Sequence, residues 1–328
     1  MHLILITPAK PDSKAGNRAT AERWKVLLET AGHSVDVVTH YQGEACDGFI
    51  ALHAWRSVYA IRRFREAWAE KPLTVALTGT DIYHYQHEYP GDTLYSMDVA
   101  DALIGLHDLV AEDIPPRLAG KLVTLYQSAD GPESFPAPHA DRNSETFRAC
   151  VIGHLRDEKD SLRAAYAVRL LPEDSHVQVF CAGKAHNEEW QRKAEQEIAE
   201  NPRFHWLGEL DKADTRQLMA NSQVMVISSI MEGGANVVSE ACRAGVPVLA
   251  SDIPGNVGLL GRDYAGYFPV GDEQALADLL YRAETDPGFL VALKKQVSKL
   301  AERFLPEKEQ ASLEQALHLA MQRCSERR

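Results

Sequence analysis

QVMVISSIMEGGANVVSEACRAGVPVLASD, Gln223 to Asp252, decides how this chain reads. Val224-Met225-Val226-Ile227 is an apolar run of the right length for one buried strand and too short for a helix. Two serines and a Met-Glu-Gly-Gly turn follow, then a helical pattern from Ala235 to Ala244. Gly245 stands where a left-handed helix cap is expected. Val246 to Ala250 reads as the next parallel strand. The unit is therefore strand, loop, helix, strand. Gly233 and Gly234 let the backbone approach a ligand at the helix N-terminus, where free N–H groups and the helix dipole favour an anion.

Glu232 precedes this turn and Glu240 lies eight positions later inside the helix. Glu232 can accept hydrogen bonds from sugar hydroxyls, and Glu240 from a ribose diol. Each could equally be a solvated carboxylate. The Glu pair, the two glycines, the small-residue helix and the Gly-Val-Pro-Val strand occur together, and so placed they resemble the donor-binding signature of family 4 glycosyltransferases. That resemblance implies an α/β chain of the GT-B fold, with two facing doubly wound Rossmann-like domains and a cleft between them. It also implies a nucleotide-sugar donor, most plausibly a uridine diphosphate sugar, with no metal and no resident cofactor.

At 328 residues the chain suits two domains better than one. Its formal net charge of −12 argues against nucleic acid as a partner. The five cysteines are dispersed without metal-ligand spacing, which suggests reduced thiols and a cytoplasmic location. MHLILITPAK has only a short apolar run before Pro8, so it reads as a strand and not a signal peptide. No apolar stretch reaches the ~20 residues of a membrane span.

Leu3 to Ile6 reads as the first strand. The loop after it carries Lys10 and Lys14, and Gly16-Asn17-Arg18 leads into a helix ending at Gly32. Ligands of doubly wound sheets bind at such strand ends, although plain solvation accounts for the lysines as well. Strands are expected at Val35–Val38 and Gly48–Leu52, the latter delivering His53 and Arg56 to the same rim. In helix 55–70, Val58, Ile61, Phe64 and Trp68 mark one face and Arg62, Arg63 and Arg65 the other. An amphipathic surface helix is the favoured reading, interfacial membrane attachment the sharper one. Leu73–Leu77 ends in Thr78-Gly79-Thr80-Asp81, a ligand-facing turn, and DIYHYQHEYPGD reads as an acceptor-side or surface loop. Ala102–Leu106 and Lys121–Leu125 complete a six- or seven-stranded domain, the helix between them breaking at Pro115-Pro116.

Residues 127–145, with three prolines and almost no aliphatics, read as a linker. The expected domains are therefore 1–130, joined by the returning helix 305–328, and 146–304. In the second series, strands are expected at Phe147–Ile152, Val177–Ala182, Arg203–Leu207 and Tyr264–Val270, with helices 160–171, 187–200 and 272–286. The family resemblance implies that Gly153 and Lys159 hold the donor diphosphate. His154 stands at the family's arginine position, so that either His154 or Arg156 supplies the second contact. It further implies donor contacts at Gly208, Leu210, Gly233, Gly234, Ala235, Asn236 and Glu240, and an acceptor side built from Lys10, Lys14, Gly16, Asn17, Arg18, His53, Arg56, Thr80 and Asp81.

LITPAKPDSKAGNRATAERW, TGTDIY and VIGHLRDEKD together resemble the selenosugar synthases of selenoneine biosynthesis. These are similar to family 4 enzymes but join selenium from selenophosphate to N-acetylglucosamine or glucose, with neighbouring pathway enzymes as the implied partners. Selenophosphate is an already ionised, soft nucleophile, so no strong base is required of the protein. Three other readings stand beside this one. A generic family 4 enzyme would glycosylate a hydroxyl and depend on a base such as His53 or Asp81. A sugar-nucleotide sensor of the same fold would bind without turnover. An NAD-dependent enzyme is disfavoured by the absence of a GxGxxG after the first strand.

Overall fold

A computed structural model describes residues 1–11, 16–137 and 145–327. The chain divides into two compact units. Unit 1 comprises Met1–Ser128, Glu232–Asn236 and Pro306–Arg328, and unit 2 comprises Ala129–Met231 and Val237–Leu305. The turn carrying Glu232 thus groups with unit 1 by its contacts, although the strand before it and the helix after it belong to unit 2.

Unit 1 holds β1 (His2–Ile6), β2 (Ser34–Val38), β3 (Gly48–Leu52), β4 (Leu73–Leu77), β5 (Ala102–Gly105) and β6 (Leu122–Thr124). They form one sheet in the order β2-β1-β3-β4-β5-β6, with every paired neighbour parallel. β3 and β4 are buried at every position, the pattern of strands covered on both faces. One face packs Ile4, Ile6, Phe49, Val75 and Leu77 against Phe64. The other packs Leu3, Leu5, Ile50 and Leu52 against Trp24, Leu28, Leu313 and Leu317, which brings the C-terminal helix Pro306–Glu326 into the core of this unit.

Unit 2 holds β7 (Phe147–Ile152), β8 (Val177–Ala182), β9 (Phe204–Trp206), β10 (Val224–Ile227), β11 (Val248–Ser251) and β12 (Tyr267–Phe268), parallel in the order β12-β11-β10-β7-β8-β9. Each sheet reverses direction of growth once, between β1 and β3 in unit 1 and between β7 and β10 in unit 2. Crevices at the carboxyl ends of such strand pairs are where open α/β sheets bind ligands. The fold is α/β with two doubly wound sheets, the GT-B pattern.

Several elements differ from the sequence expectation. Pro247 has no N–H to give to a ladder, and β11 begins one residue after it. Tyr264 does not join β12; its buried hydroxyl hydrogen-bonds the backbone of Val248 instead. The helix expected over 160–171 is only Arg163–Val168, because Asp160 adopts a left-handed conformation (φ 44°) that ends the preceding 3-10 turn. Helix 55–70 shortens to Val58–Ala67. Arg65 does not face solvent: its side chain is 9% exposed and bonds Asp101. Residues 81–92, read as a loop, contain a π-turn, the helix Gln86–Glu88 and the start of the helix Pro90–Val99.

Candidate functional site

His53 follows β3, at the carboxyl end of the unit 1 sheet. This residue sits at φ 75°, a conformation costly for any residue with a Cβ and found mostly at functional sites. The strain has a visible cause. Asp81, fully buried, draws the backbone after β3 around itself: Ala54 N–H and Trp55 N–H each donate to it at 3.0 Å. Thr78 donates through both its N–H and its hydroxyl, also at 3.0 Å. The His53 ring completes the shell, with Nδ1 2.6 Å from Asp81 Oδ1.

Burial by itself pushes the Asp81 carboxyl upward, but the His53 ring and the backbone donors outweigh it and hold it below its ordinary value. A carboxylate against Nδ1 puts the ring proton there, so Nε2 is left to accept from the Thr80 hydroxyl, 3.0 Å away. The Arg56 amide, 3.2 Å from Nδ1, is then a secondary contact. The arrangement is a buried carboxylate–imidazole pair with its far nitrogen on a hydroxyl, able to take or share a proton at Nε2.

Asp81 opens the π-turn Asp81–Tyr85, a geometry frequent at functional sites. The turn is bolted down on its other side. The His107 ring lies 3.1 Å from the Tyr83 hydroxyl, which donates to Asp113 at 2.9 Å, and Gln86 bonds the Ile82 and Asp113 carbonyls. Burial lowers the His107 pKa to about 4, so its ring is neutral.

Glu232 and its glycines are gripped within unit 1. Gly79, after β4, and Gly233 meet backbone to backbone, so that a Cβ on Gly79 would lie 2.4 Å from the Gly233 nitrogen. Gly234 lies against Leu106 and Gln127, at the ends of β5 and β6. In the amide orientation that satisfies both of its ends, Gln127 donates to the Gly234 carbonyl at 2.7 Å. Glu232 is 9% exposed, too buried for the solvated alternative. Ala235 is also buried, and Asn236 begins the helix Asn236–Ala244.

The other acceptor-side candidates are more dispersed. Lys10 and Arg56 are exposed. Gly16, with Asn17 and Arg18 after it, starts the helix Gly16–Thr30, and a Cβ on Gly16 would come within 3.9 Å of the Asn236 amide nitrogen. Arg18 is paired with Glu22. Lys14 lies outside the described residues.

In unit 2 the turns after β7, β8 and β9 pack backbone to backbone. Gly153 follows β7, and Gly183 follows β8 so closely that a Cβ there would meet the Gly153 carbonyl at 1.9 Å. Gly183 N–H in turn donates to the Gly208 carbonyl at 2.7 Å, and the Trp206 indole donates to Gly183 O. Leu210 is half-buried beyond this turn. The 3-10 turn Asp157–Lys159 is pinned across the crevice by β10: the Ser228 hydroxyl donates to the carbonyls of Lys159 and Asp160, and Ile230 N–H to that of Glu158. Lys159 is half-buried. Arg156 is exposed beside Glu158, and His154 Nδ1 accepts from the Lys184 amide at 3.2 Å. Glu240 is half-buried in its helix, which ends at the left-handed Gly245 (φ 70°) as expected.

Asp160 and Arg163 were not singled out by sequence. Arg163 donates to both Asp160 oxygens, at 2.8 and 3.3 Å, and so secures the strained residue next to Lys159. The cysteines take no part. Burial raises the thiols of Cys150, Cys181 and Cys242 to about 12, so they stay protonated. Among the described residues, no group of three or more His, Cys, Asp or Glu is placed to hold a metal ion, and no helix is long and apolar enough to cross a membrane.

Comparison with known proteins agrees with the fold. HepE of Anabaena, solved with UDP and glucose, superposes with a TM-score of 0.76 at 17% identity, covering 97% of this chain and 99% of that one. Sucrose-phosphate synthase of Thermosynechococcus elongatus reaches 0.79 at 16% identity, covering 96% and 97%. At these identities the likeness concerns the fold. A glycosyltransferase 1 domain-containing protein 1 of Xenopus tropicalis is 27% identical over 156 residues, 47% of this chain. The match spans 44% of that relative, less than half its length. The model of the glycosyl transferases group 1 family matches residues 137–304, just over half of the chain. The chain belongs to the glycosyl transferases group 1 family.

Proposed function

We propose that the enzyme moves a hexose from a uridine diphosphate sugar to selenophosphate, forming a carbon–selenium bond. One observation carries the acceptor assignment. The three segments that resemble selenosugar synthases follow β1, β4 and β7, at the crevice ends of the two sheets. The donor assignment draws on the family and on HepE, whose structure holds UDP and glucose.

On this reading unit 2 holds the nucleotide. Gly153, Gly208 and Leu210 present backbone to it, Glu240 accepts from the ribose, and Gly233, Gly234, Ala235 and Asn236 meet the diphosphate. Lys159, with His154 or Arg156, stabilises charge growing on the departing diphosphate. Glu232 accepts from the sugar hydroxyls. Lys10, Lys14, Asn17, Arg18 and Arg56 receive the anionic acceptor. Arg18 suits an anion, being 13% exposed with an Nε that has no hydrogen-bond partner among the described residues.

The selenium lone pair attacks C1 as the C1–O bond breaks, and UDP leaves with the bonding electrons. Water then cleaves the P–Se bond, releasing phosphate and a selenol sugar. No metal or resident cofactor enters these steps. The reaction takes place in the cytoplasm, between an enzyme that supplies selenophosphate and one that consumes the selenosugar.

A hydroxyl acceptor is the second reading, favoured by one observation: the His53–Asp81 pair has the form of a general base. The two part on products. The enzyme is offered several nucleotide sugars with selenophosphate and a pool of alcohols, and products are read by mass. A sugar with selenium's isotope pattern supports the first reading. Oxygen-linked products with selenophosphate untouched support the second, and binding without UDP release would leave a sensor.

A further inference from the structure

We propose that Arg23 is a positioning residue for the Glu232 turn, acting from unit 1 under the control of the C-terminal helix. The proposal rests on the reading that Glu232 contacts the donor sugar. Arg23 lies in the helix Gly16–Thr30, and its guanidinium reaches two ways. Nε donates to Glu309 Oε2 at 2.8 Å, and the NH2 nitrogen donates to Asn236 Oδ1 at 3.1 Å. The same nitrogen lies 3.1 Å from the Gln127 oxygen, which also accepts from the Thr20 hydroxyl at 2.6 Å, while the Gln127 amide holds the Gly234 carbonyl. Arg23 thus ties the Asn236 end of the Gly234–Asn236 segment to the first helix directly and the Gly234 end through Gln127.

The orientation of Arg23 is set from behind. Glu309, in the C-terminal helix, has a side chain with no exposure at all. It accepts from Trp24 Nε1 at 2.7 Å and from Ser128 N–H at 2.7 Å, besides Arg23. A buried carboxylate with these donors has no freedom to follow a moving arginine, so the guanidinium plane is fixed and its free edge is aimed at Asn236. The turn is otherwise held by close backbone and apolar contact, Gly233 against Gly79 and Gly234 against Leu106. Its two glycines lack side chains and carry the largest backbone entropy of any residue. Arg23 and Gln127 add the hydrogen-bonding side chains that those glycines lack, and so bear on the placement of the turn that carries Glu232.

The test combines a structural and a kinetic readout. Hydrogen exchange of peptides spanning residues 230–240 is compared between wild type and Arg23→Ala, Arg23→Lys and Gln127→Ala. Loss of a charged hydrogen bond should speed exchange in that segment about tenfold in Arg23→Ala. Arg23→Lys should recover part of it, since an ammonium lacks the fork to serve Glu309 and Asn236 together. Kinetically, the donor KM should rise several-fold while the acceptor KM stays put, a split that general destabilisation does not produce. Exchange unchanged in the Arg23 variants would overturn the proposal whatever the enzyme's substrates prove to be. Should Arg23→Ala not fold, the Arg23→Lys and Gln127→Ala exchange rates decide it alone. Altered exchange with no UDP release from any donor would instead count against the functional reading.

Discussion

Gly79 and Gly233 face each other with nothing between their backbones. A Cβ on Gly79 would lie 2.4 Å from Gly233 N, and one on Gly233 would lie 2.3 Å from Gly79 N. Both atoms met are main chain, so no side chain can turn aside. Gly233→Ala and Gly79→Ala should each force the Glu232 turn off the end of β4 and lower kcat/KM at least tenfold, as small displacements of positioning groups do. Steady-state kinetics with the native donor checks this; wild-type kcat/KM in both variants would show that the contact is dispensable.

His53 offers a way to separate strain from chemistry. Asn tolerates positive φ far better than a β-branched residue. His53→Asn should therefore fold with a melting temperature near wild type and, because an ionised selenophosphate needs no strong base, keep most of its turnover with that acceptor. His53→Val should lose on the order of 1–2 kcal/mol of stability. Thermal melts of the two variants make the comparison, and equal melting temperatures would mean that the strain at position 53 is not felt.

Lys159 is followed by Asp160 in the left-handed region. Asp160, at φ 44°, is held by Arg163 on its carboxylate and by Ser228 on its carbonyl. Lys159→Ala should cut turnover by about 100-fold or more through loss of charge stabilisation. Asp160→Gly should relieve the strain and preserve stability while slowing turnover less. Asp160→Ala, losing both the grip and a residue type suited to the left-handed region, should cost on the order of 1–2 kcal/mol. Denaturant titration ranks the two Asp160 variants.

Stability should also fall on the acid side. His107 has its folded pKa lowered to about 4 from 6.5, so between those values the unfolded chain binds a proton that the folded chain refuses. Stability is full above 6.5 and declines towards pH 4, by roughly 3 kcal/mol from a shift of that size. Asp81, lowered from 3.8, adds a loss below that value as its carboxyl protonates. His107→Gln should flatten the decline between pH 6.5 and 4 and leave the deeper one. Melts across pH read this, and an unaltered slope would mean that His107 is not responsible.

The sheets were legible because burial on both faces leaves uninterrupted apolar runs, as in Val224–Ile227 and Leu73–Leu77. Gly245 was legible because the cap needs a residue without Cβ. What sequence could not show was set by partners far along the chain. Arg65 reads as a surface charge until Asp101, 36 positions away, is brought beside it. Glu309 and Trp24, 285 positions apart, give no local sign of their bond. The stretch DIYHYQHEYPGD looks irregular because its order comes from His107, Asp113 and the buried Asp81 carboxylate rather than from its own periodicity. Glu232 and Gly233 were placed by motif alone. That their turn packs against Gly79, Leu106 and Gln127 of unit 1 has no counterpart in local pattern.

The central claim is the bond formed to selenium, and the most direct measurement is nuclear magnetic resonance of a reaction containing selenium-77-labelled selenophosphate and a uridine diphosphate hexose. The account predicts loss of the selenophosphate signal, UDP in equal amount, and a new selenium resonance coupled to the anomeric proton. UDP release with the selenophosphate signal unchanged, or a sugar product whose anomeric carbon is bonded to oxygen, would contradict it.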